Sequence, residues 1–332
     1  MRGSSPRLDR RQFIALCGGA ATSFALPSLA EANAWPTKPV KILAGSAAGG
    51  QTDQFSRIYG EYISREIGQP VVVENKSGAG GAIAAVELKR SEPDGHTLMI
   101  ANTTAYMLNP VLIKDVRYDV AKDFTIVSMM PTGSLVVMAS ARTGARTLEE
   151  FIAYARKTEK VNVGTYAAGS YAHIVISELN KQYGLKMEAV HYRGEAPMWS
   201  DLAGQSLDAG IGSYGAASAL LHAEKGRAIA VSRRRMSTLP DVRTLEEQGA
   251  TSRAHTLLTF QACAVPVSTP AGVTAKLSEL FVAAGRSDRI RAALTSQGVD
   301  EGAMPIDVSQ KIYREEAPIW SELALGLGLQ PQ

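Results

Sequence analysis

The segment Gly45-Ser46-Ala47-Ala48-Gly49-Gly50-Gln51-Thr52-Asp53 carries the sharpest chemical signal in the chain. It leads from a strand-like run into a helical pattern, and a Gly-rich turn of this kind exposes backbone N–H groups that no intrahelical carbonyl can satisfy. The helix dipole adds positive potential at the same point, so an anion is the expected occupant. Gly45 to Gly50 and Thr52 fit the spacing of a phosphate-binding loop, but Gln51 replaces its lysine, which argues against nucleotide binding. The plainer reading of the same residues is a tight turn in which Thr52 or Asp53 only caps the helix. A matching element follows at Gly164-Thr165-Tyr166-Ala167-Ala168-Gly169-Ser170-Tyr171-Ala172-His173, again a strand running through small residues into a helix. Two such helix starts facing across a cleft would each hold one carboxylate. His173 by itself is a helix-start hydrogen-bonding residue before it is a catalytic base.

Enzyme signatures are missing. The five histidines (His96, His173, His191, His222, His255) show no metal-ligand spacing, and neither metal nor cofactor is expected. No Gly-x-Ser-x-Gly elbow surrounds Ser213, since Ile211 stands two residues before it. Ser77 to Gly81 lacks the third Gly of a dinucleotide fingerprint, Ile83 taking that place. A secreted hydrolase pairing Ser170 with His173 has no third orienting group. The formal charge is +3, part of it contributed by arginines near the N-terminus, and the only basic run is Arg233-Arg234-Arg235. That triplet reads as a solvated turn, and nucleic-acid binding has no support.

The elements that must position these residues alternate regularly. Lys38 to Gly45 reads as a strand. The helix after it carries Phe55, Ile58, Tyr59, Tyr62, Ile63 and Ile67 at steps of three and four on one face. Pro70 to Glu74, Ala82 to Glu92 and His96 to Ala101 continue as strand, helix and strand, a succession that predicts a parallel sheet with right-handed crossovers. Thr147-Leu148-Glu149-Glu150 has the capping-box pattern and opens a helix. The alternation then repeats from Val161 to Ser232 as a second lobe, and the tail from Leu257 returns to the first. The fold class expected from this alternation is α/β, in two lobes with two hinge-crossing strands. Lobe 1 takes residues 35–137 plus 258–332 and lobe 2 takes 138–257, with the cleft at the carboxyl ends of the strands.

Residues 1–34 read as an address label. Arg10-Arg11-Gln12-Phe13, an apolar stretch from Ile14 to Leu29 and Ala32-Asn33-Ala34 form a twin-arginine export signal with cleavage after Ala34. Leu16 before Cys17 is too bulky for a lipoprotein site. The one remaining cysteine, Cys263, lies in an apolar run and reads as a small buried hydrophobe.

The chain resembles the tripartite tricarboxylate transporter receptors, the Bug family of periplasmic solute-binding proteins. The resemblance rests on Trp35-Pro36-x-Lys38-Pro39, Ala47-Ala48-Gly49-Gly50-x-Thr52-Asp53, Gly68 to Lys76, Gly78-Ala79-Gly80-Gly81, Pro93 to Leu98, Tyr118-Asp119-x-x-Lys122-Asp123-Phe124, Tyr192-Arg193-Gly194 and Leu239-Pro240-Asp241-Val242-x-Thr244. It implies a two-lobed periplasmic-binding-protein-like fold of type II, capture of a small organic carboxylate by one loop per lobe and delivery to integral membrane transporter subunits; a ligand-sensing subunit of a signalling system is the alternative. Residues implied in binding are Ser46, Ala47, Gly49, Gly50, Gln51, Thr52 and Asp53 in the first loop and Ser170 and His173 in the second, with Thr103, Thr104, Arg193 and Ser213 around them. A periplasmic monomer is expected. Two departures matter. Gly45 and Ser46 stand where many members have Pro-Phe, and Gly212 stands where an Asp commonly ends the strand Asp208-Ala209-Gly210-Ile211. Without an acid at 212, the expectation is that a dicarboxylate or aromatic carboxylate binds better than a zwitterionic amino acid, whose ammonium would be buried unpaired.

Overall fold

A computed structural model describes residues 35–330; the export signal and cleavage site expected over 1–34 lie outside the described residues. Strands β1 (Val40–Ala44), β2 (Val71–Asn75), β3 (Thr97–Asn102), β4 (Phe124–Pro131) and β10 (Phe260–Pro266) form one sheet in the order β2-β1-β3-β10-β4. Strands β5 (Leu135–Ser140), β6 (Asn162–Thr165), β7 (Glu188–His191), β8 (Ala209–Ser213) and β9 (Gly226–Val231) form the other, in the order β7-β6-β8-β5-β9. The two orders are the same pattern, with a strand that enters from the other lobe inserted next to the last position.

Neither sheet is purely parallel as expected. β10 runs antiparallel between β3 and β4, and β5 runs antiparallel between β8 and β9. The reason is the route of the chain. A strand delivered by a crossover helix starts at the far edge of its sheet and ends at the cleft, whereas β5 and β10 arrive from the other lobe, start at the cleft and run away from it. Leu135 pairs with Ser213 and Val137 with Ile211, so the second sheet begins at 135. The boundary expected at 137/138 therefore falls earlier, at residues 132–134. The return crossing precedes β10. The crossings are bonded side by side: Thr132 N–H donates to the Thr259 carbonyl at 3.0 Å, the Thr132 hydroxyl to Thr259 Oγ1 at 3.0 Å, and Thr259 Oγ1 to the Gly133 carbonyl at 3.2 Å.

The helices that frame the cleft are α1 (Gln51–Ile67), α2 (Ala82–Lys89), α3 (Leu148–Lys157), α4 (Tyr171–Tyr183), α5 (Glu195–Ala203) and α6 (Tyr214–His222), followed by α7 (Ala271–Arg286), α8 (Asp288–Ser296) and α9 (Ile306–Leu325). Helix α1 buries Phe55, Tyr59 and Ile63 against Ile42, Leu98 and Phe281. It ends at Gly68, whose φ of 67° lets its N–H reach Ser64 O. The capping box at α3 forms one residue off its usual register: Thr147 Oγ1 accepts from Glu150 N–H, while the Glu150 carboxylate accepts from Arg146 N–H instead of Thr147. The tail packs on the first sheet as expected, but Trp320 of α9 also meets Tyr171 of α4 at 5.4 Å between ring centroids, which ties the tail to both lobes. Helix α8 and the π-helical turn Thr104–Leu108 carry no signal that the sequence pattern revealed.

Candidate functional site

Between the two sheets lies a chamber of about 170 Å³. Gln51, Asn102, Thr103, Thr104 and Gln261 line it from the first lobe, Tyr166, Tyr171, Glu195 and Ser213 from the second, and the crossing residues Thr132 and Thr259 also reach it. A second chamber of about 640 Å³ shares Gln51, Tyr166, Glu195 and Ser213 with the first and adds Gly49, Gly50, Gly194, Gly215 and Gln297. Those four shared side chains separate the two. Among the described residues, no lysine, arginine or histidine lines either chamber.

The wall of the first lobe is built by the start of α1. Gly50 takes the N-cap position in extended conformation and offers no side-chain cap, so Gln51, Thr52 and Asp53 keep their N–H groups without a protein acceptor. Asp53 turns away from the chambers. Its carboxylate accepts from Gly49 N–H at 2.9 Å and from Asn75 Nδ2 at 2.9 Å, and it pairs with Arg57 at 2.9 Å. Burial pushes this carboxyl up, but the bonds from Arg57, Gly49 and Asn75 outweigh burial and hold it below its ordinary value. Asp53 thus shapes the loop instead of touching its occupant. Thr52 is also buried; its hydroxyl donates to Gln261 Oε1 at 2.8 Å, and Gln261 Nε2 in turn faces Gln51 Oε1 at 3.4 Å. This relay fixes the amide that Gln261 presents to the chamber. Thr103 Oγ1 bridges the backbone of Phe260, accepting from its N–H at 2.8 Å and donating to its carbonyl at 3.2 Å.

The wall of the second lobe differs from the expectation. Ser170 caps α4, its hydroxyl accepting from His173 N–H at 3.4 Å, and His173 Nδ1 accepts from Gly169 N–H at 3.3 Å. Both side chains serve their own loop and line neither chamber. Burial and the neighbouring His191 ring, 4.5 Å away, lower His173 to about 4, so it is neutral at pH 7. Tyr166 enters the cleft in their place, its hydroxyl set toward the backbone N–H groups of Ala172 and Tyr171 at the start of α4. Burial pushes that phenol well up. Glu195, in the first turn of α5, accepts from Ser213 N–H at 3.1 and 3.2 Å, from the Ser213 hydroxyl at 2.6 Å and from Trp199 Nε1–H at 3.5 Å.

Of the residues implied by sequence, the structure brings Gly49, Gly50, Gln51, Thr103, Thr104 and Ser213 to the chambers. It leaves Ser46, Ala47 and the exposed Arg193 outside them, and it places Thr52, Asp53, Ser170 and His173 behind the wall. The lining residues that sequence reasoning missed include Asn102, Tyr166, Glu195 and Gln261. Gln261 had a readable signal, a lone polar residue inside the apolar run Phe260 to Val265. Glu195 had a weaker one, an acid immediately after the Tyr192-Arg193-Gly194 motif.

The model of the family described as "Tripartite tricarboxylate transporter family receptor" matches residues 55–329. The chain belongs to this receptor family. A relative, a UPF0065 protein of Bordetella bronchiseptica, is 30% identical over 257 residues, covering 74% of this chain and 76% of that protein. Among solved structures, Rpa4515 of R. palustris with adipate aligns at a TM-score of 0.79 and 27% identity, over 90% of this chain and 100% of that one. MatC of Rhodopseudomonas palustris with bound malate aligns at 0.71 and 25% identity, over 87% and 100%. A receptor of this family, with two mixed sheets and a cleft between them, is a solute-binding protein. The arrangement of its walls suits that role, because helix starts with free N–H groups bind anions.

Proposed function

We propose that this receptor captures a small organic carboxylate in the interlobe cleft, in the periplasm, and delivers it to the integral membrane subunits of a tripartite tricarboxylate-type transporter. The observation that carries the reading is the set of unpaired N–H groups of Gln51, Thr52 and Asp53 at the start of α1, where Gly49, Gly50 and Gln51 line a cleft that has no basic side chain among the described residues. Such groups hold a carboxylate by directed hydrogen bonds and the helix dipole, and release it more readily than a lysine or arginine would. The adipate and malate carried by the two neighbours support the ligand class. Residues 132–134 and 257–259 act as the hinge, because two short bonded crossings let the lobes rotate with little change inside either sheet. Binding of the ligand buries it at the lobe interface.

The test is a thermal-shift screen of the exported protein against mono-, di- and tricarboxylates and amino acids. A ligand that binds only the native state raises the melting temperature by mass action, about 2.7 kcal/mol of stabilisation at a hundredfold excess over Kd. Stabilisation by sugars or amines and by no carboxylate refutes the reading.

A further inference from the structure

Among the described residues, Glu195 is the one carboxylate on the lining of either chamber, and no basic side chain lines them to neutralise it. Every group it touches there is a neutral donor: the N–H and hydroxyl of Ser213 and the indole N–H of Trp199. Its place in the first turn of α5 and against the first residue before α6 puts it at two helix starts, where a negative charge is favoured. The carboxylate is therefore held rigidly, and part of its acceptor capacity remains open. Oε1 shares only the Ser213 N–H, while Oε2 takes the hydroxyl.

The missing side chain at 212 explains how it fits. A Cβ on Gly212 would lie 2.8 Å from the Trp199 ring and 3.2 Å from Glu195 Cδ. The space beside the end of β8 is thus already taken, by a carboxyl group that arrives from α5. The expectation that this wall has no acid, drawn from Gly212, does not hold, and the preference for dicarboxylates built on it loses its ground.

We infer that Glu195 receives the ammonium group of the ligand, so that the cleft selects an amino acid over the plain dicarboxylate of equal length. The inference rests on the proposed capture of a carboxylate in this cleft. The two walls are opposite in character. The backbone at the start of α1 offers donors, which suits a carboxylate, whereas the Ser213 donors are already occupied and Glu195 offers acceptors only. An ammonium has three donors and no acceptor, so it complements Glu195 without competing for Ser213. A second carboxylate at that wall meets a fixed like charge. At about 4 Å and the effective dielectric of a protein surface, this costs roughly a hundredfold or more in affinity.

The experiment is calorimetric titration of the exported protein and of Glu195→Gln with matched pairs: L-aspartate and succinate, L-glutamate and glutarate, 2-aminoadipate and adipate. In the wild type the amino member should bind at least about tenfold tighter in the best-binding pair, and Glu195→Gln should erase that ratio, both by weakening the amino member and by strengthening the dicarboxylate. Equal or tighter binding of the dicarboxylate by the wild type overturns the inference, as does an unchanged ratio in the variant. Ligand-free melting curves show whether the variant is folded; should it not be, Glu195→Asp, which keeps the charge one methylene further back, should retain the sign of the preference, and a reversal would count against it. Tighter binding of dicarboxylates leaves the carboxylate reading standing, whereas binding of no member of any pair removes that reading and this one together.

Discussion

Replacing Asp53 by Asn tests whether the first loop is shaped from behind. All the groups around the carboxylate are donors: Gly49 N–H and Arg57 Nε reach one oxygen, and Asn75 Nδ2 and an Arg57 terminal nitrogen reach the other. Asn is nearly isosteric but has one acceptor and one donor, so its amide must face a donor on one side. Arg57 is 55% exposed and can be rehydrated, so its share is that of a surface pair, about 0.5 kcal/mol. The bonds from Gly49 and Asn75 to a charged acceptor are worth about 1.5–3 kcal/mol each before water replaces them. A net loss of about 2–3 kcal/mol follows, which lowers Tm by roughly 3–5 °C for a protein of this size. The folded carboxyl is held below its unfolded value, so its contribution is complete above about pH 4 and is lost as pH falls through the folded value. Circular-dichroism melts of both proteins should therefore show a gap at pH 7 that closes in acid. Equal melting at pH 7, or a gap that persists below the wild-type titration, refutes the reasoning. Ligand affinity should fall as well, since Gly49 N–H is released from its anchor.

Gly133→Ala should destabilise by about 3 kcal/mol or more, because φ is +77° and a Cβ would lie 2.5 Å from the Gly298 carbonyl; a Tm within about 2 °C of wild type would show that the crossing is not constrained as described. Gln261→Leu leaves the buried Thr52 hydroxyl without its acceptor and strips an amide from the chamber, so carboxylate affinity should drop about tenfold with a modest loss of stability, read by titration and melting. Carboxylate affinity should stay flat from about pH 5.5 to 8, since His173 is neutral throughout with its value lowered to about 4; a step in affinity near pH 6.5 that His173→Gln removes would contradict the placement of that ring. Replacing Arg10 and Arg11 by Lys should strand precursor in the cytoplasm, and normal periplasmic yield would remove the twin-arginine reading.

Much of the fold was legible because it is written in local terms. The three-and-four spacing of Phe55, Tyr59 and Ile63, the Gly-rich turn before Gln51 and the Thr147 cap each act within a few residues, and each appears where the pattern places it. The uncapped start of α1 after Gly50 was legible for the same reason. The antiparallel β5 and β10 were not, because strand direction depends on whether the chain reaches a sheet through a crossover helix or from the other lobe.

The site divides along the same line. By itself the sequence determined that helices begin after Gly50, near Ala172 and near Ala196, and that N–H groups without an intrahelical partner stand at those points. Which side chains share the cleft was decided by tertiary structure alone. Thr52 orients Gln261 across 209 residues of chain, and Thr103 bridges Phe260 across 157. Glu195 reaches Ser213 because α5 and β8 converge at the cleft and Gly212 leaves room between them. Contacts of this kind depend on strand order and on the space left by an absent side chain, and neither leaves a periodic trace in the residues themselves. For that reason the residue at 212 could be read as a missing acid, while the carboxylate that fills its place came into view only with the fold.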